Sequence, residues 1–210
     1  MKSSFCFATG SGNGTTLPLR TSSIRCLEVG RGPLAGPVVA AAVILDRDSG
    51  ISGMHDSKML TTAKREKLAQ EIMERSIAWS IARAEVHEID TINILQASLL
   101  AMARCIQTLS TRPDKVLVDG KFCPDIDIPS EAIIKGDQTV QEISAASIIA
   151  KVYRDNEMQK LDRAYPGYGF AQHKGYPTRD HISALNQLGA CPIHRKSFSP
   201  VRKVIESTSR

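Results

Sequence analysis

Two aspartates at strand ends and a glutamate ahead of a glycine-rich run are the residues whose types could do chemistry. Asp119 and Asp137 each close a short apolar run, Val116-Leu117-Val118 and Ala132-Ile133-Ile134, at a short separation along the chain. In open α/β sheets ligands collect beyond the carboxyl ends of strands, so both aspartates are expected above one sheet. Taken singly, each has an ordinary explanation. Asp-Gly after an apolar run is common turn chemistry, and Gly136-Asp137 serves as well to turn the chain or cap a helix. The third, Glu28, precedes Gly30-Arg31-Gly32-Pro33-Leu34-Ala35-Gly36-Pro37. Closely spaced glycines let backbone approach a ligand, and an arginine between them supplies a fixed cation. The run lacks the Gly-Lys-Ser/Thr ending of a phosphate loop. By itself it is better explained as a tight loop with a solvent-exposed arginine.

The elements that must position these residues follow from periodicity. Val38 to Leu45 is an apolar run bounded by Gly36-Pro37 and Asp46, which predicts a buried strand. Thr61 to Glu74 predicts a helix with a charged outer side, and Ile77 to Val86 a strand by its alternation around Trp79 and Ile81. Ile92 to Leu109 and Val140 to Leu161 predict helices, with the two aspartate-terminated strands between them. The order β-β-α-β-α-β-β-α implies a mixed sheet with helices packed against it. Residues 1–23 differ: they are rich in Ser, Thr and Gly, contain no acid and show no periodicity. They are expected to be a disordered or aberrant segment ahead of one domain, 24–210. Their composition partly resembles an organelle transit peptide, though only Lys2 and Arg20 are basic.

Composition bounds the class without deciding it. A chain of 210 residues with 42% hydrophobic and 23% charged residues suits a soluble domain with a real core. Its five cysteines show no CxxC spacing and no disulfide framework, which favours a reducing compartment and a cytoplasmic location, or an organelle if 1–23 is a transit peptide. The longest purely apolar run, Val38 to Leu45, is too short to span a bilayer, so no membrane segment is expected. The net charge of +5 is carried by residues 171–210, where Lys174, Arg179, Arg195, Lys196, Arg202, Lys203 and Arg210 face only Asp180 and Glu206. Such a basic region suits a polyanionic partner, and equally a soluble surface.

The motifs together are more specific than any one of them. Glu28-Val29-Gly30-Arg31-Gly32-Pro33-Leu34-Ala35-Gly36-Pro37-Val38 resembles the signature of ribonuclease HII, the type 2 ribonuclease H family. So do Asp56-Ser57-Lys58, Val118-Asp119-Gly120, Lys135-Gly136-Asp137 and the run from Glu142 to Val152 followed by Arg154-Asp155. His173-Lys174-Gly175-Tyr176 and His194-Arg195-Lys196-Ser197-Phe198 complete the set, in family order from about Glu28 to Val204. The resemblance implies an α/β ribonuclease H-like fold: a five-stranded mixed sheet flanked by helices, with a helical C-terminal extension. It implies a carboxylate cluster binding Mg²⁺ or Mn²⁺, as two ions, with Glu28, Asp119 and Asp137 as ligands and catalytic residues. Hard divalent cations prefer oxygen ligands, and phosphodiester hydrolysis needs charge neutralised on both the attacking and leaving oxygens.

The implied partners are RNA/DNA hybrids and duplex DNA containing ribonucleotides, cut by a monomer to leave 5′-phosphate and 3′-hydroxyl ends in DNA replication and repair. Gly30, Arg31 and Gly32 resemble the element that senses the 2′-hydroxyl, the group that separates RNA from DNA. Tyr176 matches the tyrosine that packs on the neighbouring deoxyribose; without the family it would be a partly buried structural tyrosine. Lys58, Lys174, Arg195 and Lys196 are expected on phosphates. Ser144 and Ser147 are expected to position their helix, and Asp155 either supports the site or is merely exposed.

The pattern breaks at one position. The family places an aspartate before the glutamate, and this chain has Leu27. A leucine cannot bind metal, so metal affinity and rate are expected to fall. Ser23-Ile24-Arg25-Cys26 likewise departs from the apolar, glycine-containing first strand of the family. The alternative function is a catalytically impaired protein that binds hybrids without cutting. A further rival, a nuclease of the same fold that cuts DNA lacking ribonucleotides, fits the motifs least.

Overall fold

In the computed structural model the described residues are 23–46, 49–54, 60–133 and 141–208. Asp137, Lys58 and the segment 1–22 lie outside them. Five strands form one mixed sheet in the order β3-β2-β1-β4-β5. They are β1 (Ser23–Val29), β2 (Val38–Leu45), β3 (Ser76–Ala84), β4 (Lys115–Asp119) and β5 (Ser130–Ile133). β1 pairs antiparallel with β2 and parallel with β4, β2 is antiparallel to β3, and β4 is parallel to β5. The helices are α1 (Thr62–Arg75), α2 (Val86–Gln107), α3 (Gln141–Ala164), α4 (Phe170–His173), α5 (Arg179–Leu188) and α6 (Ser199–Thr208). The expected ribonuclease H-like architecture, with its helical C-terminal region, is present.

β2 explains the layering. Its middle residues Ala40, Ala41 and Ala42 are fully buried. A strand covered on both faces needs side chains small enough to admit a helix on each side. One cluster joins Ala40 and Ala42 to Ala97, Ala101 and Cys105 of α2; the other joins Val39, Ala41 and Val43 to Leu68 and Ile72 of α1 and Ala146 and Ile149 of α3. Among the described residues α2 alone is long and apolar enough to cross a membrane, and here its buried residues pack into the first cluster.

The residues that depart from the family's first strand still build a strand. Ser23 to Cys26 lies within β1, in register with Lys115 to Val118 of β4, and Ile24 and Cys26 are fully buried. An apolar residue at every second position is enough for one face of a central strand. Two boundaries also shift. The strand expected to reach Val86 ends at Ala84, because Glu85 starts α2: its backbone N–H donates to Glu88 Oε2 at 2.8 Å. The helix expected from Ile92 is the second part of α2. Asn93 has φ 68°, breaks the helix, and accepts from the N–H groups of Leu95 and Gln96 to restart it.

Arg104 holds that first segment by donating to both carboxylate oxygens of Glu88, at 2.6 and 2.9 Å. Hydrogen bonding from Arg104 pulls the Glu88 pKa down to about 2. A carboxylate with a depressed native pKa stabilises the fold above its unfolded value and loses that contribution as pH falls through the native one. Glu88→Gln should therefore cost about 1 kcal/mol at pH 7. In urea titrations, the gap between variant and parent should close between pH 4.5 and about 2; a gap that does not change with pH would contradict the assignment.

Candidate active site

The parallel pairing of β1 with β4 brings the carboxylates together. Cys26 pairs with Val118, so the ends of both strands stand side by side, and Glu28 and Asp119 line one pocket. Arg31, Gly120, Lys121 and Phe122 line it as well, and Leu95, Ser98, Leu99 and Met102 of α2 form its floor. Alternation along β1 sends Glu28 to the same side as Ile24 and Cys26, toward α2. Leu27 points the other way. It is 6% exposed and belongs to the apolar cluster with Val39, Ala41, Ala145 and Ala146.

The electrostatics of the pocket are those of an oxygen-donor site. Burial raises the Glu28 pKa and the charge of Asp119 raises it further, while Arg31 opposes both, its Nη1 standing 3.5 Å from Glu28 Oε1. Two carboxylates forced together out of water repel each other, and a divalent cation would relieve that repulsion. The donor set is hard oxygen, which fits Mg²⁺ or Mn²⁺. With Asp137 outside the described residues, no group of three potential ligands is formed among those described.

The glycine loop is held from beneath. Gly30 has φ +93°, and a Cβ there would fall on Arg154 Nε. A side chain at this position would be both strained and blocked. Arg195 donates to the carbonyls of Gly30 at 2.7 Å, Arg31 at 2.9 Å and Gly36 at 2.9 Å. Arg154 of α3 donates to the carbonyls of Ala35 and Lys174. The loop backbone is also bonded to Gly175 and Ile193, and Leu34 O accepts from the Arg195 N–H.

This arrangement corrects the expectation for Arg195. It is fully buried, so its guanidinium cannot lie on a phosphate; three carbonyls occupy it instead. Burial, with the neighbouring Arg154, lowers its pKa to about 9, which leaves it charged at neutral pH. Sequence reasoning missed Arg154 for a related reason: it lies within a predicted helix, where a charged residue is ordinarily on the surface, and it is only 2% exposed. Lys174 turns its ammonium onto the carbonyl of Ala171 at 2.6 Å. Lys196 is exposed, its backbone N–H held by Asp90. Ser144 is buried within α3, and Asp155 pairs with Lys151 at 2.8 Å.

Tyr176 lies on the same side as the glycine loop. A Cβ on Gly32 would stand 3.5 Å from Tyr176 Cε1, and Arg154 Cζ lies 6.0 Å from the Tyr176 ring centre. Arg31, Gly32 and Tyr176 therefore form one surface beside the carboxylate pocket, with Gly30 buried beneath it and Tyr176 43% exposed.

A profile of ribonuclease HII matches residues 27–201. The chain belongs to the ribonuclease HII family. It is 61% identical over 180 residues to the ribonuclease HII of Nitrosococcus oceani, covering 86% of this chain and 90% of that protein. It superposes on the crystal structure of ribonuclease H2 from Pyrococcus horikoshii with a TM-score of 0.74 at 28% identity, covering 90% of this chain and 99% of the other. Bst-RNase HIII, solved in complex with Mn²⁺, shares the fold with a TM-score of 0.72 at 20% identity, covering 90% of this chain and 70% of that one. The ribonuclease HII match starts at Leu27, so the family's similarity begins where the departing N-terminal residues end.

Arg195→Gln should lower the unfolding free energy by about 2–4 kcal/mol, since three loop carbonyls lose a buried charged donor. Lys196→Gln should change it by no more than about 0.5 kcal/mol. Denaturant melts of the two variants test the reassignment, and equal small effects would return Arg195 to the surface role.

Proposed function

We propose that this chain hydrolyses the RNA strand of RNA/DNA hybrids and cuts at ribonucleotides embedded in duplex DNA. The observation that supports this most directly is the convergence of Glu28 and Asp119 in one pocket beside the Gly30-Arg31-Gly32 loop and Tyr176. Glu28 and Asp119, joined by Asp137 from the segment after β5, would hold Mg²⁺ or Mn²⁺, as two ions. A bound divalent cation supplies charge neutralisation at the attacking and leaving oxygens and lowers the pKa of water. The chain's own residues supply position and recognition. The loop carbonyls, fixed by Arg195, set the backbone of residues 30–32 against the 2′-hydroxyl, and Tyr176 packs on the adjoining deoxyribose. Exposed Lys196, with Lys58 and Lys174, is read as a phosphate contact. We read the working unit as a cytoplasmic monomer built on the domain of residues 24–210, whose first strand also takes in Ser23.

A second reading is favoured by one specific observation. Leu27 is absorbed into the apolar cluster under α3, where the family carries a carboxylate. A site with one negative charge fewer should hold its cations weakly, leaving a protein that binds hybrids and cuts them slowly.

The deciding experiment is cleavage of a labelled DNA duplex carrying one ribonucleotide, with Mg²⁺ or Mn²⁺. Asp119→Asn should reduce cutting at least about 100-fold, and Leu27→Asp should raise it by a comparable factor, since a metal ligand contributes several kcal/mol of transition-state charge stabilisation. If Asp119→Asn cuts as well as the parent, the carboxylate site is wrong. If the parent already matches Leu27→Asp, three carboxylates suffice.

A further inference from the structure

Three histidines lie together behind Tyr176, and their partners determine every proton. Gly175 N–H donates to His173 Nδ1 at 3.2 Å, so His173 carries its proton on Nε2 and gives it to the Tyr168 carbonyl at 2.8 Å. Cys191 N–H donates to His194 Nδ1 at 3.0 Å, which places the His194 proton on Nε2. That nitrogen faces His181 Nε2 at 3.1 Å. From the other end, His181 Nδ1 faces the Tyr176 carbonyl at 2.9 Å, and a carbonyl only accepts. His181 therefore carries its proton on Nδ1 and accepts on Nε2. Both ends impose the same direction: Cys191 N–H to His194, His194 to His181, His181 to Tyr176 O.

The endpoint of this chain belongs to the recognition surface. Three successive carbonyls there are held from three different elements: Lys174 O by Arg154 of α3, Gly175 O by the N–H of Leu34, and Tyr176 O by His181 of α5. Thr178 N–H also donates to Tyr176 O, but from the same turn, so His181 is the tie to the packed helix. His181 and His194 are fully buried. The titratable groups facing the pair are His173, which opposes protonation of both rings, with Tyr168 and Cys191 against His194 and Arg195 next in the chain. Burial lowers the pKa of both, that of His194 to about 4, so the neutral forms that the chain of bonds requires are present at neutral pH.

We infer that the Cys191–His194–His181 hydrogen-bond relay is a positioning device for Tyr176, holding one tautomer of His181 so that the tyrosine is presented to the sugar at a single embedded ribonucleotide. The inference rests on the proposed role of Tyr176. His181 and His194 touch no substrate; they act through the Tyr176 backbone.

The test is the preference for a duplex with one ribonucleotide over a uniform RNA/DNA hybrid. It is read as the ratio of Kd values by fluorescence anisotropy with Ca²⁺, so that it does not depend on cutting. His181→Leu should reduce the preference about fivefold, the weight of one net hydrogen bond. His181→Asn, whose amide N–H falls near the Nδ1 position, should stay within about twofold of the parent. In a Tyr176→Ala background His181→Leu should change nothing further, because both act through the same residue. Should His181→Leu fail to fold, His194→Asn carries the same prediction, since it keeps an acceptor for Cys191 N–H and is too short to reach His181. Equal loss on both duplexes, or an effect that adds to that of Tyr176→Ala, would overturn the relay. If Tyr176→Ala shifts the preference and the histidine variants do not, only the relay fails. If Tyr176→Ala leaves it unchanged, the reading of Tyr176 fails and the relay falls with it.

Discussion

The buried guanidinium of Arg195 is the interaction on which the glycine loop beside the carboxylate pocket depends. A charge taken fully out of water is costly unless its donors are matched by acceptors. Here the acceptors are three carbonyls of a loop that has no regular secondary structure to satisfy them. The requirement runs both ways: the loop needs donors for its carbonyls, and the arginine needs carbonyls to be buried. Because Arg195 lies at the far end of the domain from Gly30 in sequence, the C-terminal helical region is part of the site's foundation. Arg154 follows that logic only in part: from α3 it ties Ala35 O to Lys174 O, while its buried Nε meets no acceptor among the described residues.

This foundation divides the site into two kinds of positioning. Glu28 and Asp119 stand at the ends of adjacent parallel strands, where hydrogen bonding along β1 and β4 sets their separation. The residues expected to recognise the sugar stand on loops, which ordinarily move. Here they are fastened by side-chain donors from buried positions instead of by a ladder. If the proposed role is right, a surface that distinguishes one hydroxyl would need that rigidity, since discrimination comes from donors and acceptors left badly paired when the wrong sugar is bound.

The layer order, β2, and the strand ending at Asp119 were legible in the sequence because apolar periodicity and turn residues agree there. The family motifs single out Glu28, Asp119 and the glycine loop, and in the structure Glu28, Arg31 and Asp119 line one pocket. What periodicity could not show was direction. Arg195 lies in a basic stretch whose composition suggests a surface, and only the fold shows it pointing inward. Ser23 to Cys26 depart from the family's first strand in sequence, yet a central strand needs only its alternate residues apolar when two neighbours supply its hydrogen bonds. The break in α2 at Asn93 was invisible for the opposite reason: the apolar pattern runs on across it, and a single side-chain oxygen re-caps the helix.

Leu27 is where folding and chemistry pull apart. An aspartate facing the cluster of Val39, Ala41 and Ala146 would be a carboxylate at the edge of an apolar layer, tolerable only with a cation or a strong donor to meet it. A leucine removes that cost and adds burial to the core. It also leaves Glu28 and Asp119 as the carboxylates that the described strands bring together, already repelling one another in a largely buried pocket. Fewer negative charges ease that repulsion in the metal-free protein and weaken the attraction for a cation by the same electrostatics. If the proposed metal site is right, stability and metal affinity would be opposite consequences of one side chain, with Leu27 toward the stable, weakly binding end of that exchange.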